Sequence, residues 1–249
     1  MRDQAALNPF DAPRTRDAAF AAELDARYAT ASPQQVLEAA MRELFPGRLA
    51  LVSSFGTEAA ALLALAADVD KSLPILFIDT RKLFGETLRY RDELIEFLGL
   101  TDVRTTRPDR DLLTRRDDDE MLWKRDSDAC CHIRKTLPLA GALDGFDAWI
   151  TGRKRFQSST RAAIPVFEEQ DGWIKVNPLA TWSKADLENE FERRGLPRHP
   201  LEADGFLSVG CYTCTERVAP GADPRSGRWA GKEKTECGIH FASLDGSSL

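Results

Sequence analysis

The sequence has no long apolar run and little histidine, methionine or cysteine. No stretch approaches the roughly 20 apolar residues of a membrane helix, and we expect no membrane contact. No apolar segment follows the first charges, so we expect no secretion signal. Basic residues are the minority, with 34 Lys and Arg against 40 Asp and Glu and a formal net charge of −6. This balance argues against a nucleic-acid partner, because phosphate contacts need a basic surface.

What remains is typical of a globular protein. An apolar content of 43% over 249 residues is enough to bury a core, in one large domain or two small ones. We predict a cytoplasmic location, where cysteines serve metals or catalysis more often than disulfides.

The five cysteines form two close pairs and one single residue. Cys130 is followed directly by Cys131, and two residues separate Cys211 from Cys214. Four thiolates suit either zinc or an iron–sulfur cluster. Adjacent side chains diverge, which is awkward around one tetrahedral ion, whereas a cubane offers them separate irons. The pattern therefore favours a [4Fe–4S] cluster over zinc, with a Cys130–Cys131 disulfide as a third option.

Cys237 is the single cysteine, and its neighbours Lys234 and His240 would favour the thiolate form. A thiolate is a good nucleophile, so Cys237 is a candidate catalytic residue; the alternative is an incidental thiol. Lys135 lies four residues after Cys131, on the same face if the segment is helical. Its charge would then stabilise an anionic cluster or reach an anionic substrate, unless it is a solvated surface lysine.

From residue 49 onward, short apolar runs alternate with helical segments. Strands are predicted at 49–52, 74–80, 102–106 and 146–152. Helices are predicted at 59–67, 85–99 and 183–194, with a further helical segment from residue 130 that stops near Pro138. A hairpin is predicted around residues 170–172. The alternation indicates an α/β fold with a doubly wound, mainly parallel sheet.

Two helices are predicted before the first strand, at residues 17–30 and from Pro33 to about residue 45. Ser32 would cap the second one. Both are interpreted as core packing or as a dimer contact, so a homo-oligomer stays open. The residues before them, 1–16, are expected to form a loosely held arm.

Polar residues follow two of the predicted strands, at the edge where ligands bind in such sheets. Ser53, Ser54, Gly56 and Thr57 follow the first strand and open a helix, an arrangement that can hold a phosphate or sulfate. The alternative is ordinary capping and turn chemistry. The loop lacks the Gly-Lys-Ser/Thr ending of a Walker A motif. Asp79 ends the second strand and would hold a ribose or cap a turn.

Two charged segments stand out. Residues 153–161 contain four basic residues and no acid, including Arg155 and Arg161. They predict an anion clamp or a solvated basic loop. Residues 109–120 form a charge-dense run that we interpret as a solvated face.

These motifs resemble those of bacterial assimilatory adenylyl-sulfate reductases, in the phosphoadenylyl-sulfate reductase family. The resemblance covers residues 49–240, and its most specific parts are the two cysteine pairs and the 234–240 segment around Cys237. Supporting similarity lies in residues 53–58, 77–80, 151–161 and 225–229.

The resemblance implies an adenine-nucleotide (PP-loop) hydrolase-like fold with a C-terminal redox tail. It divides the chain into an N-terminal helical arm (1–46), a nucleotide-binding α/β domain (47–210) and a C-terminal segment (211–249). It assigns Cys130, Cys131, Cys211 and Cys214 to a [4Fe–4S] cluster with structural and electrostatic roles.

The resemblance also implies a reaction. The Cys237 thiolate attacks the sulfur of adenosine 5′-phosphosulfate, AMP leaves, and thioredoxin or glutaredoxin thiols release sulfite from the resulting S-sulfonate. The residues it assigns to substrate binding are Ser53, Ser54, Gly56, Thr57, Asp79, Lys135, Arg155, Arg161, Arg225, Arg228 and His240. Positive charge there would stabilise the departing AMP.

The sequence departs from the family pattern in a few places. The 53–58 loop lacks the Gly-Gly and the terminal Asp-Ser of the ATP-splitting relatives, which argues against ATP pyrophosphatase chemistry. Arg81 stands where glycine is common and Lys154 where arginine is common. Two alternatives stay open: the same reaction on 3′-phosphoadenosine 5′-phosphosulfate, and a zinc-stabilised nucleotide-binding protein in which Cys237 is incidental.

Overall fold

The computed structural model describes residues 16–229, 234, 236 and 238–240. Almost all of the predicted arm and Cys237 therefore lie outside the described residues. The described strands are β1 (Leu49–Val52), β2 (Ile75–Ile78), β3 (Val103–Thr106), β4 (Ala148–Ile150), β5 (Phe167–Gln170) and β6 (Trp173–Val176). They form one sheet in the order β3-β2-β1-β4-β6-β5. Only the β5–β6 pair is antiparallel among them, so the predicted mainly parallel α/β fold is confirmed.

The described helices alternate with these strands as predicted. They are α1 (Ala18–Tyr28), α2 (Pro33–Ala39), α3 (Ala59–Val69), α4 (Gly85–Leu98), α5 (Arg110–Arg116), α6 (Leu122–Arg125), α7 (Ser127–Cys131), α8 (Leu137–Ala142), α9 (Lys184–Arg194) and α10 (Pro200–Ala203). Ser32 and Ser183 each form a capping box at the start of α2 and α9, which satisfies N–H groups left free at a helix start. None of the helices in this part of the chain is both long and apolar enough to cross a membrane.

The core lies on both faces of the sheet. On one face α3 is buried along almost its whole length, since its residues are nearly all Ala and Leu. The N-terminal helices join the same core through Leu24 of α1 and Leu37 of α2, both fully buried. The described residues thus show that α1 and α2 pack against the core. The division of the chain at residue 46 remains a proposal.

The β5–β6 hairpin confirms the predicted turn. Gln170 pairs with Trp173, and the two residues between them, Asp171 and Gly172, have φ values of 53° and 84°. Positive φ at both positions is the geometry of a type I′ turn, which fits the twist of the flanking strands.

The prediction that the helical segment from residue 130 stops near Pro138 was wrong. A wider π-helical turn (His132–Thr136) follows α7, and α8 then starts with Pro138 in its first turn. Proline is tolerated there because its missing N–H and fixed φ suit a first helical turn. The chain therefore stays helical from Cys130 to Ala142.

Candidate active site and thiol cluster

A cavity of about 670 Å³ opens at the carboxyl ends of β1 and β4, the edge where ligands bind in parallel sheets. Nine of the eleven residues predicted to bind substrate contribute to its lining: Ser53, Ser54, Gly56, Thr57, Lys135, Arg161, Arg225, Arg228 and His240. Asp79 and Arg155 do not belong to that lining.

The loop after β1 is fixed by its own side chains. Phe55 is fully buried and packs edge-on against Phe77 with ring centroids 5.4 Å apart. Ser53 Oγ accepts a hydrogen bond from Phe55 N at 3.1 Å, and Thr57 donates to Leu207 O at 3.0 Å. These hydrogen bonds stabilise the turn and place the start of α3 beside the cavity.

Three of the four basic residues of the 153–161 segment are buried. Arg153, Lys154 and Arg161, which we call the basic wall, are 3%, 1% and 6% exposed and line the cavity. Each has a carboxylate partner, and the three partners are Glu168, Glu58 and Glu236 in that order. Burial lowers the pKa of Lys154, and the charge of Glu58 opposes that shift.

Asp79 and Arg155 have other partners. Asp79 accepts hydrogen bonds from Arg81 N at 3.0 Å and Arg107 Nε at 2.9 Å, which fits a turn cap. Arg155 is exposed, and its Nε donates to Ile164 O at 3.0 Å.

Glu236 is a buried acid that joins Arg161 of the basic wall to Arg225 of the C-terminal segment. Its Oε1 lies 2.5 Å from Arg161 Nε, and its Oε2 lies 2.6 Å from Arg161 Nη2 and 3.1 Å from Arg225 Nη2. Glu236 is 8% exposed. It directly precedes Cys237 in the sequence, yet its role was not predicted, because no sequence pattern shows which acids are buried.

Arg228 lies flat against the backbone of Gly210. A Cβ at position 210 would come within 2.6 Å of Arg228 Cζ, so glycine is required for this approach. The guanidinium also stacks on Trp229, 4.5 Å from the ring centroid, and its buried Nε has no hydrogen-bond partner in the part of the chain that the structure describes. Arg228 thus reaches the cavity as a packed cation.

His240 was predicted among the cations that hold the substrate, but its surroundings keep it neutral. Burial, and then the charges of Lys175 and Arg153, lower the pKa of His240 well below its usual value. The imidazole stacks parallel to Trp149 with ring centroids 6.1 Å apart. Its Nδ1 is buried and has no hydrogen-bond partner among the described residues, so the ring offers a neutral hydrogen-bonding group.

The four paired cysteines, which we call the thiol cluster, are free thiols in the described structure. Cys130, Cys131 and Cys211 are buried and Cys214 is partly exposed. Burial, and then the charges of Cys131 and Cys211, raise the pKa of Cys130 to about 12. Thiols from both pairs therefore lie close enough to interact.

The tail and β2 fix Cys211 beside the first pair. The backbone of Cys211 forms an isolated antiparallel β-bridge with Leu83, and Cys211 Sγ lies 3.2 Å from Thr80 Oγ1. The donor set, four thiols from two pairs, is of a kind that an iron–sulfur cluster accepts.

Buried cations border the thiol cluster. Lys234 Nζ donates to Ser127 O at 3.2 Å and to Asp128 Oδ1 at 2.5 Å, at the start of α7. The negative charge of Cys131 also raises the pKa of Lys234, against the opposing effect of burial. A described residue of the tail thus contacts the helix that carries the first cysteine pair.

On the other side, Arg134 pairs with Asp117 at 2.5 Å, and their side chains are 4% and 0% exposed. The prediction that residues 109–120 form a solvated face was therefore wrong for Asp117. The charge of Arg134 also favours the thiolate form of Cys130.

The chain is similar over most of its length to known proteins. The phosphoadenosine phosphosulfate reductase domain matches residues 48–217. The adenosine 5′-phosphosulfate reductase of Mesorhizobium japonicum is 49% identical over 228 residues, which cover 92% of this chain and 90% of that protein. The enzyme of the same name from Chelativorans sp. is 48% identical over 235 residues, covering 94% and 96%.

Solved structures agree as well. Phosphoadenylyl-sulfate reductase from Candida auris, in a phosphate complex, has a TM-score of 0.69 and 25% identity, covering 80% of this chain and 98% of that one. Candida glabrata FMN adenylyltransferase shares the fold, with a TM-score of 0.52, 15% identity and coverage of 88% and 83%. From the family match and the two adenosine 5′-phosphosulfate reductases of 49% and 48% identity, we conclude that the chain belongs to the phosphoadenosine phosphosulfate reductase family.

Proposed function

We propose that the chain reduces adenosine 5′-phosphosulfate to sulfite and AMP in assimilatory sulfate reduction. Cys237 is the nucleophile, and thioredoxin or glutaredoxin supplies the thiols. The observation that carries the proposal is the cavity itself, because described residues on both sides of Cys237 line it: Glu236 before it, and Ile239 and His240 after it. The near-full-length similarity to adenosine 5′-phosphosulfate reductases supports the choice of substrate.

The substrate is an anion, and the cavity supplies cations and N–H groups. Lys135, Arg225 and Arg228 line it and would bind the phosphosulfate. The loop after β1 presents N–H groups at the start of α3, where the helix dipole favours an anion. Asp79 and Arg155 would have supporting roles outside the cavity lining. Asp79 accepts a hydrogen bond from Arg81 N, and Arg155 Nε donates one to Ile164 O.

The reaction proceeds by three displacements at sulfur. The Cys237 thiolate attacks the sulfate sulfur, an S–S bond forms, and the bond from that sulfur to the bridging oxygen breaks. AMP keeps the electron pair, and the cations listed above stabilise the charge that develops on it. The neutral imidazole of His240 supplies a hydrogen-bonding group without adding another charge.

A thiol of the donor then completes the reduction. Its thiolate attacks Cys237 Sγ, sulfite leaves with the electron pair of the S–S bond, and a mixed disulfide remains. The second donor thiol attacks that disulfide, so the donor is released oxidised and Cys237 returns to the thiolate. The balance is one nucleotide sulfate and one dithiol converted to AMP, sulfite, one disulfide and two protons.

Cys130, Cys131, Cys211 and Cys214 would hold a [4Fe–4S] cluster in this protein. When bound, the cluster supplies a structural link between α7 and the tail and an electrostatic field beside the cavity. Lys234 and Arg134 are placed to balance its negative charge.

The test is sulfite and AMP release by anaerobically purified protein with thioredoxin and each of the two nucleotide sulfates. We expect turnover with adenosine 5′-phosphosulfate, and none with Cys237→Ser, whose iron content and nucleotide binding stay unchanged. Turnover by Cys237→Ser would remove that residue from the mechanism. Turnover only with 3′-phosphoadenosine 5′-phosphosulfate would replace the proposed substrate. Zinc in place of iron, with no turnover of either nucleotide, would favour a binding protein.

A further inference from the structure

The turn Gly238–His240, which follows Cys237 in the sequence, packs on a buried tryptophan. Trp149 lies in the middle of β4, is fully buried and lines the cavity. Its indole belongs to a small apolar cluster on the face of the sheet that α8 covers, together with Ala50, Leu76, Leu139 and Leu143. Close packing on this face holds the ring in one orientation, so it presents a fixed apolar surface at the edge of the cavity.

Two residues of the turn contact this surface. The His240 imidazole lies parallel to the indole, with an angle of 4° between the planes and ring centroids 6.1 Å apart. Ile239 packs against the same apolar cluster. Offset parallel rings attract each other, and burial of an aliphatic side chain is favourable. Because both residues follow Cys237 within three positions, these contacts restrain the backbone on the C-terminal side of the proposed nucleophile.

Lys175 supports the indole from the neighbouring strand. Lys175 and Trp149 are paired across β4 and β6, and Lys175 Nζ lies 5.1 Å from the indole centroid. The ammonium group is held by Glu168 Oε1 at 3.2 Å and Gln170 Oε1 at 2.8 Å. Burial, and then the charge of Lys175, lower the pKa of His240. A neutral imidazole therefore packs on the indole, while the cation contributes a cation–π contact to the same ring.

The turn also lies beside the π-helical turn His132–Thr136. That segment follows the first cysteine pair and carries Lys135, which lines the cavity. Gly238–His240 is therefore next to two parts of the molecule, the sheet at Trp149 and the helical segment that begins at the thiol cluster.

We propose that Trp149 is a positioning residue: its indole is the surface on which Ile239 and His240 pack, and this contact holds Cys237 at the cavity, where the sulfur of the bound nucleotide lies. The inference rests on the proposed function of Cys237. It assigns to Trp149 the rate at which bound substrate meets the thiolate. Contacts to the phosphosulfate itself remain with the cations of the cavity and with His240.

The first measurement is hydrogen exchange of the peptides that contain residues 235–240, in iron-loaded protein with saturating AMP. For Trp149→Leu we expect exchange about tenfold faster or more than in wild type, because the contact that orders this segment is lost. Trp173→Leu is the matched control. Trp173 packs against the same apolar cluster from the first position of β6 and does not belong to the cavity lining, so exchange should stay as in wild type.

The second measurement is the single-turnover rate of S-sulfonate formation at saturating adenosine 5′-phosphosulfate. We expect the rate to fall about tenfold or more in Trp149→Leu, since the thiolate is no longer held against the bound substrate. Alkylation of Cys237 by iodoacetamide should not become slower, because the thiolate itself is unchanged. Ile239→Ala, which leaves β4 intact, should lower the S-sulfonate rate in the same way, and Ile239→Val should recover most of it.

Equal exchange of residues 235–240 in Trp149→Leu and wild type would overturn the inference. Wild-type S-sulfonate rates in both Trp149→Leu and Ile239→Ala would also overturn it, and so would an equal loss of rate in Trp173→Leu, which would indicate a general effect of core packing. Slower alkylation in Trp149→Leu would assign the loss to thiolate reactivity instead of placement. Where Trp149→Leu does not fold, Ile239→Ala decides the question by the same measurements. If wild-type protein forms no S-sulfonate, the proposed function fails, and hydrogen exchange still tests the contact.

Discussion

The basic wall and the thiol cluster each gather side chains of one charge type in a largely buried place. The wall contains cations, the cluster contains thiols that are negative when deprotonated, and the two differ in which groups balance that charge. In the basic wall, Arg153, Lys154 and Arg161 each meet a carboxylate of the same chain. In the thiol cluster two cations, Lys234 and Arg134, border four thiols, and burial raises the pKa of Cys130 to about 12. The wall is thus balanced by carboxylates of the same chain, whereas the thiol of Cys130 would remain protonated unless a metal holds it as a thiolate.

The two regions therefore differ in what fixes the geometry of their side chains. The wall gains its geometry from ion pairs that form as the chain folds. The thiol cluster brings α7 and the tail together, and the proposed metal cluster would link metal binding to the placement of the tail. The predictions below test that contrast, starting with the largest expected effect.

Removing one thiol should abolish cluster binding. We expect Cys214→Ser to lose essentially all bound iron, since a hydroxyl is a poor replacement for a thiolate on iron. Iron analysis of anaerobically purified protein is the measurement, with Cys237→Ser as the control that keeps its iron. Full iron content in Cys214→Ser would show that Cys214 is not a ligand.

Breaking the buried ion pair beside the thiol cluster should cost stability. Arg134→Met leaves the Asp117 carboxylate buried and unpaired, and we expect a loss of about 3–5 kcal/mol in the free energy of unfolding. Denaturant unfolding measures it, and Arg134→Met combined with Asp117→Asn should recover much of the loss. Asp118→Asn, at the exposed neighbour, should have little effect. A single variant as stable as wild type would mean that water reaches Asp117.

His199 shows a third way to bury a titratable group, which is to keep it neutral. Burial lowers the pKa of His199 to about 4. Its Nε2 lies 3.1 Å from Thr87 Oγ1, and its Nδ1 accepts a hydrogen bond from Leu201 N at 3.2 Å.

The unfolded chain binds this proton near the ordinary histidine pKa of about 6.5, so between pH 6.5 and 4 it binds more protons than the folded chain. The contribution is therefore full above pH 6.5 and is lost as the pH falls towards 4. We expect His199→Asn, which can still cap α10, to lose less stability than wild type over that range, by at most about 3 kcal/mol. Denaturant unfolding at several pH values checks this. The same pH dependence in both proteins would contradict it.

The smallest expected effect concerns the cavity. Gly210→Ala would displace the Arg228 guanidinium, because the new Cβ overlaps it. We expect the affinity for adenosine 5′-phosphosulfate to fall about tenfold, near 1.4 kcal/mol, with iron content unchanged. Gly141→Ala, where a Cβ meets no atom within 4 Å, is the control. An unchanged affinity in Gly210→Ala would remove Arg228 from substrate binding.

The sheet and the caps could be predicted from sequence because they depend on local patterns. The apolar run of β1, the capping box at Ser183 and the turn at Gly172 each carry their signal within a few residues. Asp117 and Pro138 were predicted wrongly because tertiary context overrode local pattern: Arg134 pairs with the first, and a π-helical turn precedes the second.

The candidate site could be predicted only in part for the same reason. The motifs identified the cations, but which of them meet a carboxylate depends on residues far apart in sequence. No local sequence pattern indicates that Glu236 pairs with Arg161 or that Glu58 pairs with Lys154. Arg155 illustrates the converse, since it lies in the predicted basic segment yet points to a backbone carbonyl outside the cavity lining.

The most direct test of the account is the intact mass of anaerobically purified protein after mixing with adenosine 5′-phosphosulfate in the absence of thiols. The account predicts the added mass of one sulfonate group, mapped to Cys237, absent in Cys237→Ser and removed by reduced thioredoxin. Unmodified protein, in a preparation that carries its metal and binds AMP, would contradict the central claim that Cys237 attacks the sulfur of the nucleotide.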